Sequence, residues 1–165
     1  MPQSVFVFSF AEVLAARLLA SPLFLPLLGV LTAQLIAAAI LDARTRRFPN
    51  VLAVSMALTC LALRCAEYGV LSALFAIGIS SFVVTILVLF EVRWRQAHAG
   101  ALGLGLGDIK FLGALCLWRP GAALVSFAAS LCLLACCGVA FRRPSLPLLP
   151  FSVPLFMCSL ALGVA

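Results

Sequence analysis

Charge is scarce in this chain. Only 10% of its 165 residues are Asp, Glu, Lys or Arg, against 65% hydrophobic, and the mean hydropathy is +1.27. Water-soluble domains carry roughly 25% charged and about 45–50% apolar residues. A chain of this size holds more apolar surface than one soluble core can hide, so the composition excludes a soluble globular domain and indicates a bilayer. Histidine is rarer still, with His98 alone. Seven cysteines are present (Cys60, Cys65, Cys116, Cys132, Cys136, Cys137 and Cys158), but no two form a C-x-x-C pair. Zinc ligands need such clustering, usually with histidine. The cysteines therefore read as small polarizable core residues, and no metal or cofactor is expected. The basic start of a secretory signal is missing too, because MPQSVFVFSFAEVLAARLLA carries Glu12 and Arg17 inside its apolar run. That segment reads as a peripheral or interfacial helix. Neither an internal repeat nor a low-complexity tail is present.

What fills the chain instead is a series of apolar runs. A membrane-crossing helix takes about 20 mostly apolar residues. Breaks at charges and at Pro/Gly clusters divide the chain into runs at 22–41, 51–67, 69–91, 101–118, 121–141 and 146–165. The expected fold class is all-α: one integral-membrane domain over residues 1–165, polytopic, with about six transmembrane helices. The second run is the shortest and carries Arg64 near its end. Lys and Arg set the orientation. Arg44, Arg46, Arg47, Arg93, Arg95, Lys110, Arg142 and Arg143 fall on one side, leaving Arg17, Arg64 and Arg119 for the other. The richer side is the cytoplasmic one, with both termini outside. The formal charge of +6 is accordingly a matter of topology, with Arg44, Arg46 and Arg47 facing lipid headgroups. Nucleic-acid binding is not expected, since the grooves and aromatic platforms it needs are missing.

Aspartate is nearly absent, and its two positions are informative. Asp42 ends the first run and Asp108 opens the fourth, at the same membrane edge. Ionisable groups at membrane depth are costly and by default functional. Asp108 also fits a plain helix N-cap role. Asp42 fits one less well, because a helix C-terminus disfavours an anion, although Arg44 or Arg46 is near enough for a surface salt bridge. Two carboxyl groups held close split their pKa values and share a proton. The ionised one takes a proton from water while the protonated one polarises a peptide carbonyl. Such a pair hydrolyses an amide without metal or cofactor. Gly103, Gly105 and Gly107 precede Asp108 in GLGLGD and let a substrate strand approach the backbone closely. Neither a phosphate-binding G-x-x-x-x-G-K-[ST] loop nor a dinucleotide fingerprint fits this context. Close helix packing is the alternative reading of the alternating glycines.

At these residues the chain resembles the type IV prepilin peptidases. Gly105-Leu106-Gly107-Asp108, followed by Lys110 and an apolar helix, is similar to that family's G-x-G-D segment. AAILDARTRRFPNVL resembles its first aspartate segment, with Asp42 followed by basic residues and then Pro49-Asn50. LPFSVPLFMCSLALG resembles its Pro-Phe-x-x-Pro segment through Pro150, Phe151 and Pro154. The resemblance implies an intramembrane-type aspartic endopeptidase with Asp42 and Asp108 as the catalytic pair. Gly105, Gly107, Lys110, Pro49, Asn50, Pro150 and Pro154 would be motif-supporting. The implied substrates are pilin or pseudopilin precursors, whose short basic leader is cut at the cytoplasmic face of the bacterial inner membrane. The longer relatives carry two C-x-x-C pairs and N-methylate the new terminus. This chain lacks them, so no methyltransferase activity is expected, and its compactness resembles the short tight-adherence (Tad) pilus peptidases. The alternative from another class is a small transporter or proton-relay component using the two aspartates. Inverted repeats and midplane acids mark many transport folds; here no repeat is evident and the acids lie at one edge. Lys110 reads equally as a site residue or a snorkelling lysine, Gln34 as a cross-helix hydrogen-bonding residue, and His98 as a solvated loop residue.

Overall fold

A computed structural model describes residues 22–45, 48–98, 104–141 and 147–162. The expected N-terminal helix, Arg46, Arg47, Gly103, Arg142 and Arg143 lie outside them. Regular structure among the described residues is α-helical throughout. Its elements are α1 (Phe24–Thr45), α2 (Asn50–Ala97), α3 (Leu106–Cys116), α4 (Pro120–Phe141) and α5 (Leu149–Ala161).

Helix α1 buries Phe24, Leu31, Leu35, Ala38 and Asp42. Steps of seven, four, three and four keep these residues on one stripe of a 3.6-residue helix. Asp42 therefore faces the same way as the apolar core residues before it, into the bundle. Gln34 flanks that stripe. Its Oε1 is buried and accepts no hydrogen bond from the described residues, contrary to the cross-helix bond expected of it, because the stripe beside it is apolar.

Helix α2 is a single run of 48 residues, about 72 Å if straight, far beyond the roughly 30 Å hydrocarbon core. It is not straight. Gly69 interrupts it at φ 81, ψ 171, a left-handed φ open mainly to glycine. The limbs at 50–68 and 70–97 run antiparallel, as their contacts with α3 require. The first limb runs alongside α3: Lys110 Nζ donates to Asn50 Oδ1 at 2.7 Å near their starts, and Arg64 donates to the Trp118 carbonyl at 2.8 Å near their ends. The second limb meets α3 in reverse order, Ser80 Oγ donating to the Gly113 carbonyl at 2.8 Å and Glu91 accepting the Leu104 N–H at 2.7 Å. The run is a hairpin with its turn at Gly69.

Helix α3 is the centre of the bundle, with Ile109 and every residue from Phe111 to Cys116 buried. A helix apolar on all sides belongs inside. Helix α4 packs beside it, and α5 packs in turn on α4 and α1; buried Ser126 and Ser130 on α4 and Ser152 and Ser159 on α5 are small residues that let backbones come close. Ser159 Oγ lies 3.5 Å from the Ala122 carbonyl, so the end of α5 meets the start of α4.

Among the described residues three helices, α1, α2 and α4, are long and apolar enough to cross a membrane. Helices α3 and α5 have 11 and 13 residues and fall short of the expected fourth and sixth spans. Proline and glycine explain it: α3 starts only after Gly105 and ends before Arg119-Pro120, and α5 follows Pro147.

The Gly69 turn is tied to the α3–α4 junction. Trp118 Nε1 donates to Glu67 at 2.9 Å, Arg119 pairs with the other oxygen of Glu67, and Arg64 Nε donates to Ser72 Oγ at 2.9 Å. The Arg64 guanidinium also lies 4.6 Å over the Tyr68 ring. The charge in the shortest apolar run thus ends on protein acceptors.

Candidate active site

The other end of the bundle gathers the end of α1, both termini of the α2 hairpin and the starts of α3 and α5. Asp42 arrives there on the core-facing stripe of α1 and is 9% exposed. Its Oδ2 accepts the backbone N–H of Leu149 at 3.2 Å. Leu149 is the first residue of α5, and N–H groups in a helix's first turn have no partner within the helix. Pro150, next in line, has no N–H to offer. The positive end of α5 thus faces Asp42 and offsets the unfavourable end of α1, on which Asp42 itself sits.

Asp108 lies in the first turn of α3, outside the three crossing-length helices. Its carboxyl turns back toward Gly105, the residue before the helix. A Cβ added at Gly105 would stand 2.9 Å from Asp108 Oδ2, so only glycine admits this approach. The arrangement resembles the reciprocal half of a capping box, in which an acid three residues into a helix reaches back to the cap. The Asp108 carboxyl is pushed up to about 6, by burial first and by the nearby Asp42 charge second, against a hydrogen bond with the Gly105 backbone that lowers it. The two acids are therefore electrostatically coupled across the gap between α1 and α3, and any titration belongs to the pair.

The three sequence segments singled out by motif meet at this end. Gly107 sits against Phe48, whose Cβ would lie 3.0 Å from any Cβ placed there. The Phe48 ring meets Phe111 edge-on at 6.0 Å. Pro49 precedes α2 in extended conformation at φ -64, ψ 139. Asn50 opens the helix and receives the 2.7 Å bond from Lys110, so Lys110 joins the Asp42 and Asp108 segments. Pro150 stands in the first turn of α5, and Pro154, exposed, lies inside it. Only the Leu149–Pro150 end of that segment reaches the acids. His98 is exposed, as expected, but stacks on Trp94 at 4.0 Å. Arg93 and Arg95 lie within α2, not in a loop after it.

Two further buried residues of α2 carry no motif, Glu91 at this end and Ser80 nearer the middle of the bundle. Glu91, 2% exposed, receives Leu104 N–H and Arg95 Nε, each at 2.7 Å. Ser80 holds the Gly113 carbonyl, and a Cβ at Gly113 would come within 2.6 Å of Val84. Their only trace in the sequence is periodicity: Ala73, Ala76, Ser80 and Glu91 share the core-facing stripe of the second limb.

The architecture defines an integral membrane protein, a bundle of apolar helices with a coupled pair of carboxyl groups at one end. The chain belongs to a family of peptidases: a family model described as the type IV leader peptidase family matches residues 29–141. The match takes in Asp42, Glu91 and Asp108 and stops before α5. Comparison with curated proteins returns no significant match, and comparison with solved structures returns none either.

Proposed function

We propose that the chain is an aspartic endopeptidase that removes the leader from pilin or pseudopilin precursors, with Asp42 and Asp108 as its catalytic pair. The observation that carries this reading is the convergence of two carboxyl groups, buried Asp42 and half-buried Asp108, delivered to one end of the bundle by separate helices and close enough for the charge of one to act on the other. In the proposed reaction the ionised member of the pair takes a proton from water as the water oxygen adds to the scissile carbonyl carbon. The proton on the other member passes to the carbonyl oxygen. Collapse of the tetrahedral intermediate breaks the C–N bond; the leaving amine takes up the proton gained from water, and a hydroxyl proton of the intermediate returns to the acid that had donated one, restoring the pair. Gly105 and Gly107 keep side chains off the turn where a substrate strand would lie.

The topology we propose has six crossings within a single peptidase domain in the bacterial inner membrane: α1, the two α2 limbs, α4, and the short α3 and α5 completed by their flanking residues. Asp108, in the first turn of α3, would stand at the cytoplasmic edge.

The test is cleavage of a pilin precursor by purified protein in detergent, comparing wild type with Asp42→Asn and Asp108→Asn. Asparagine keeps the shape but cannot exchange the proton. Both variants are expected to retain helical circular dichroism and lose cutting. A wild-type rate in either one overturns the pair.

A further inference from the structure

Gly105, which admits the Asp108 carboxyl, and Gly107, which admits Phe48, also leave the turn soft, because glycine restricts its backbone least. Something outside the turn has to hold it. On the downstream side, Lys110 is bonded to Asn50 and the Gly113 carbonyl to Ser80. Upstream, the backbone N–H of Leu104 ends on Glu91 Oε2 at 2.7 Å. Glu91 is on another element, 2% exposed, on the core-facing stripe of the second α2 limb. Burying a carboxylate is costly unless it is paired and hydrogen-bonded. Here Arg95, one turn further on, donates to Oε1 at 2.7 Å and keeps its own side chain 38% exposed. The arginine reaches water while its partner stays inside. Charge-assisted bonds of this kind are short and roughly twice as strong as neutral ones.

We propose that Glu91 is a positioning residue for the aspartate pair: its buried carboxylate anchors the Leu104 backbone and thereby fixes the Gly105–Asp108 turn against α2. This rests on the peptidase reading above. The anchor acts through the turn and not on substrate, so its loss slows turnover without weakening binding. Misplacing a reacting group by about 1 Å can cost 10²-fold.

The experiment compares Glu91→Gln and Glu91→Met, with wild type and Asp108→Asn as references. It reads kcat and KM on a pilin precursor, and amide hydrogen exchange over residues 104–108. Glutamine keeps an acceptor for Leu104; methionine fills similar volume and cannot anchor it. Glu91→Met is expected to lower kcat about 10- to 100-fold with KM unchanged, and to speed exchange at 104–108 while the core of α3 stays protected. Glu91→Gln is expected to lose less on both counts. Methionine performing as well as glutamine, or kcat per folded molecule unchanged in both, overturns the proposal, because a space-filling role predicts that pattern. If wild type does not cut, the peptidase reading fails and the catalytic use of the anchor fails with it. Exchange over 104–108 still separates the two failures: faster exchange in Glu91→Met with no cutting in wild type faults the reaction, whereas cutting with unchanged exchange faults the anchor.

Discussion

Asp108 meets opposing demands. A carboxyl in the first turn of a helix is ordinarily favoured as an anion by the N–H groups around it, yet this one is raised from the ordinary 3.8 to about 6, by burial first and by Asp42 second. The folded protein therefore holds this proton more tightly than the unfolded chain. The resulting contribution to stability is full below pH 3.8, is lost as the pH rises to about 6, and stays flat above. Asp108→Asn has no proton to lose. Melting temperatures in detergent are expected to show the variant gaining on wild type from pH 4 to 6, with a constant difference beyond that window. Parallel melting curves across the range would show that the carboxyl is not raised. In Asp42→Asn the window should narrow, because one of the two raising causes is gone. The acids themselves were legible in the sequence: scarcity and position singled them out, and the 3.6-residue period shows Asp42 sharing a face with Leu31, Leu35 and Ala38. Glu91 was not. It stands beside Val92-Arg93-Trp94-Arg95, so a reading by hydropathy ends the helix there and turns a buried anchor into a boundary residue.

At the level of elements, glycine does different work within one continuous run. Gly69 takes φ +81, while Gly78 is exposed with nothing within 4 Å of an added Cβ. A side chain at Gly69 would have to adopt a left-handed backbone, at roughly 1–2 kcal/mol. At Gly78 alanine would raise helix propensity by about 0.8–1 kcal/mol. Unfolding in mixed detergent micelles should accordingly find Gly69→Ala destabilised and Gly78→Ala unchanged or more stable. Equal effects at the two positions would mean that the hairpin turn does not rest on the conformation of Gly69. The break there was readable because Glu67, Gly69 and the adjoining apolar runs mark it. The shortness of α3 and α5 was not, since hydropathy counts LGLG and LPLLP as apolar whatever the backbone does. The role of the Pro-Phe-x-x-Pro segment was equally hidden. It becomes clear only when α1 and α5 are seen to meet, with the Leu149 amide on Asp42.

Across the whole molecule the two ends differ in kind. The described basic residues at the aspartate end are Arg44, Arg93, Arg95 and Lys110, and all but Arg95 are exposed. At the Gly69 end Arg64 and Arg119 are drawn inward onto Ser72, the Trp118 carbonyl, Tyr68 and Glu67. The free positive charge thus lies with the acids, where it would resist transfer across the membrane. We expect the aspartate end to face the cytoplasm. The check is a membrane-impermeant maleimide applied to cells carrying His98→Cys or Tyr68→Cys, with wild type as background. Both positions are exposed, Tyr68 at 43%, and they flank α2's second limb, Tyr68 just before it and His98 just after it. Tyr68→Cys should label on intact cells stripped of their outer membrane, and His98→Cys only after the inner membrane is opened. The reverse pattern would put the carboxyl pair outside. A pilin leader awaiting removal on the cytoplasmic side could not then reach it, and the substrate would have to be sought among segments already carried across the membrane.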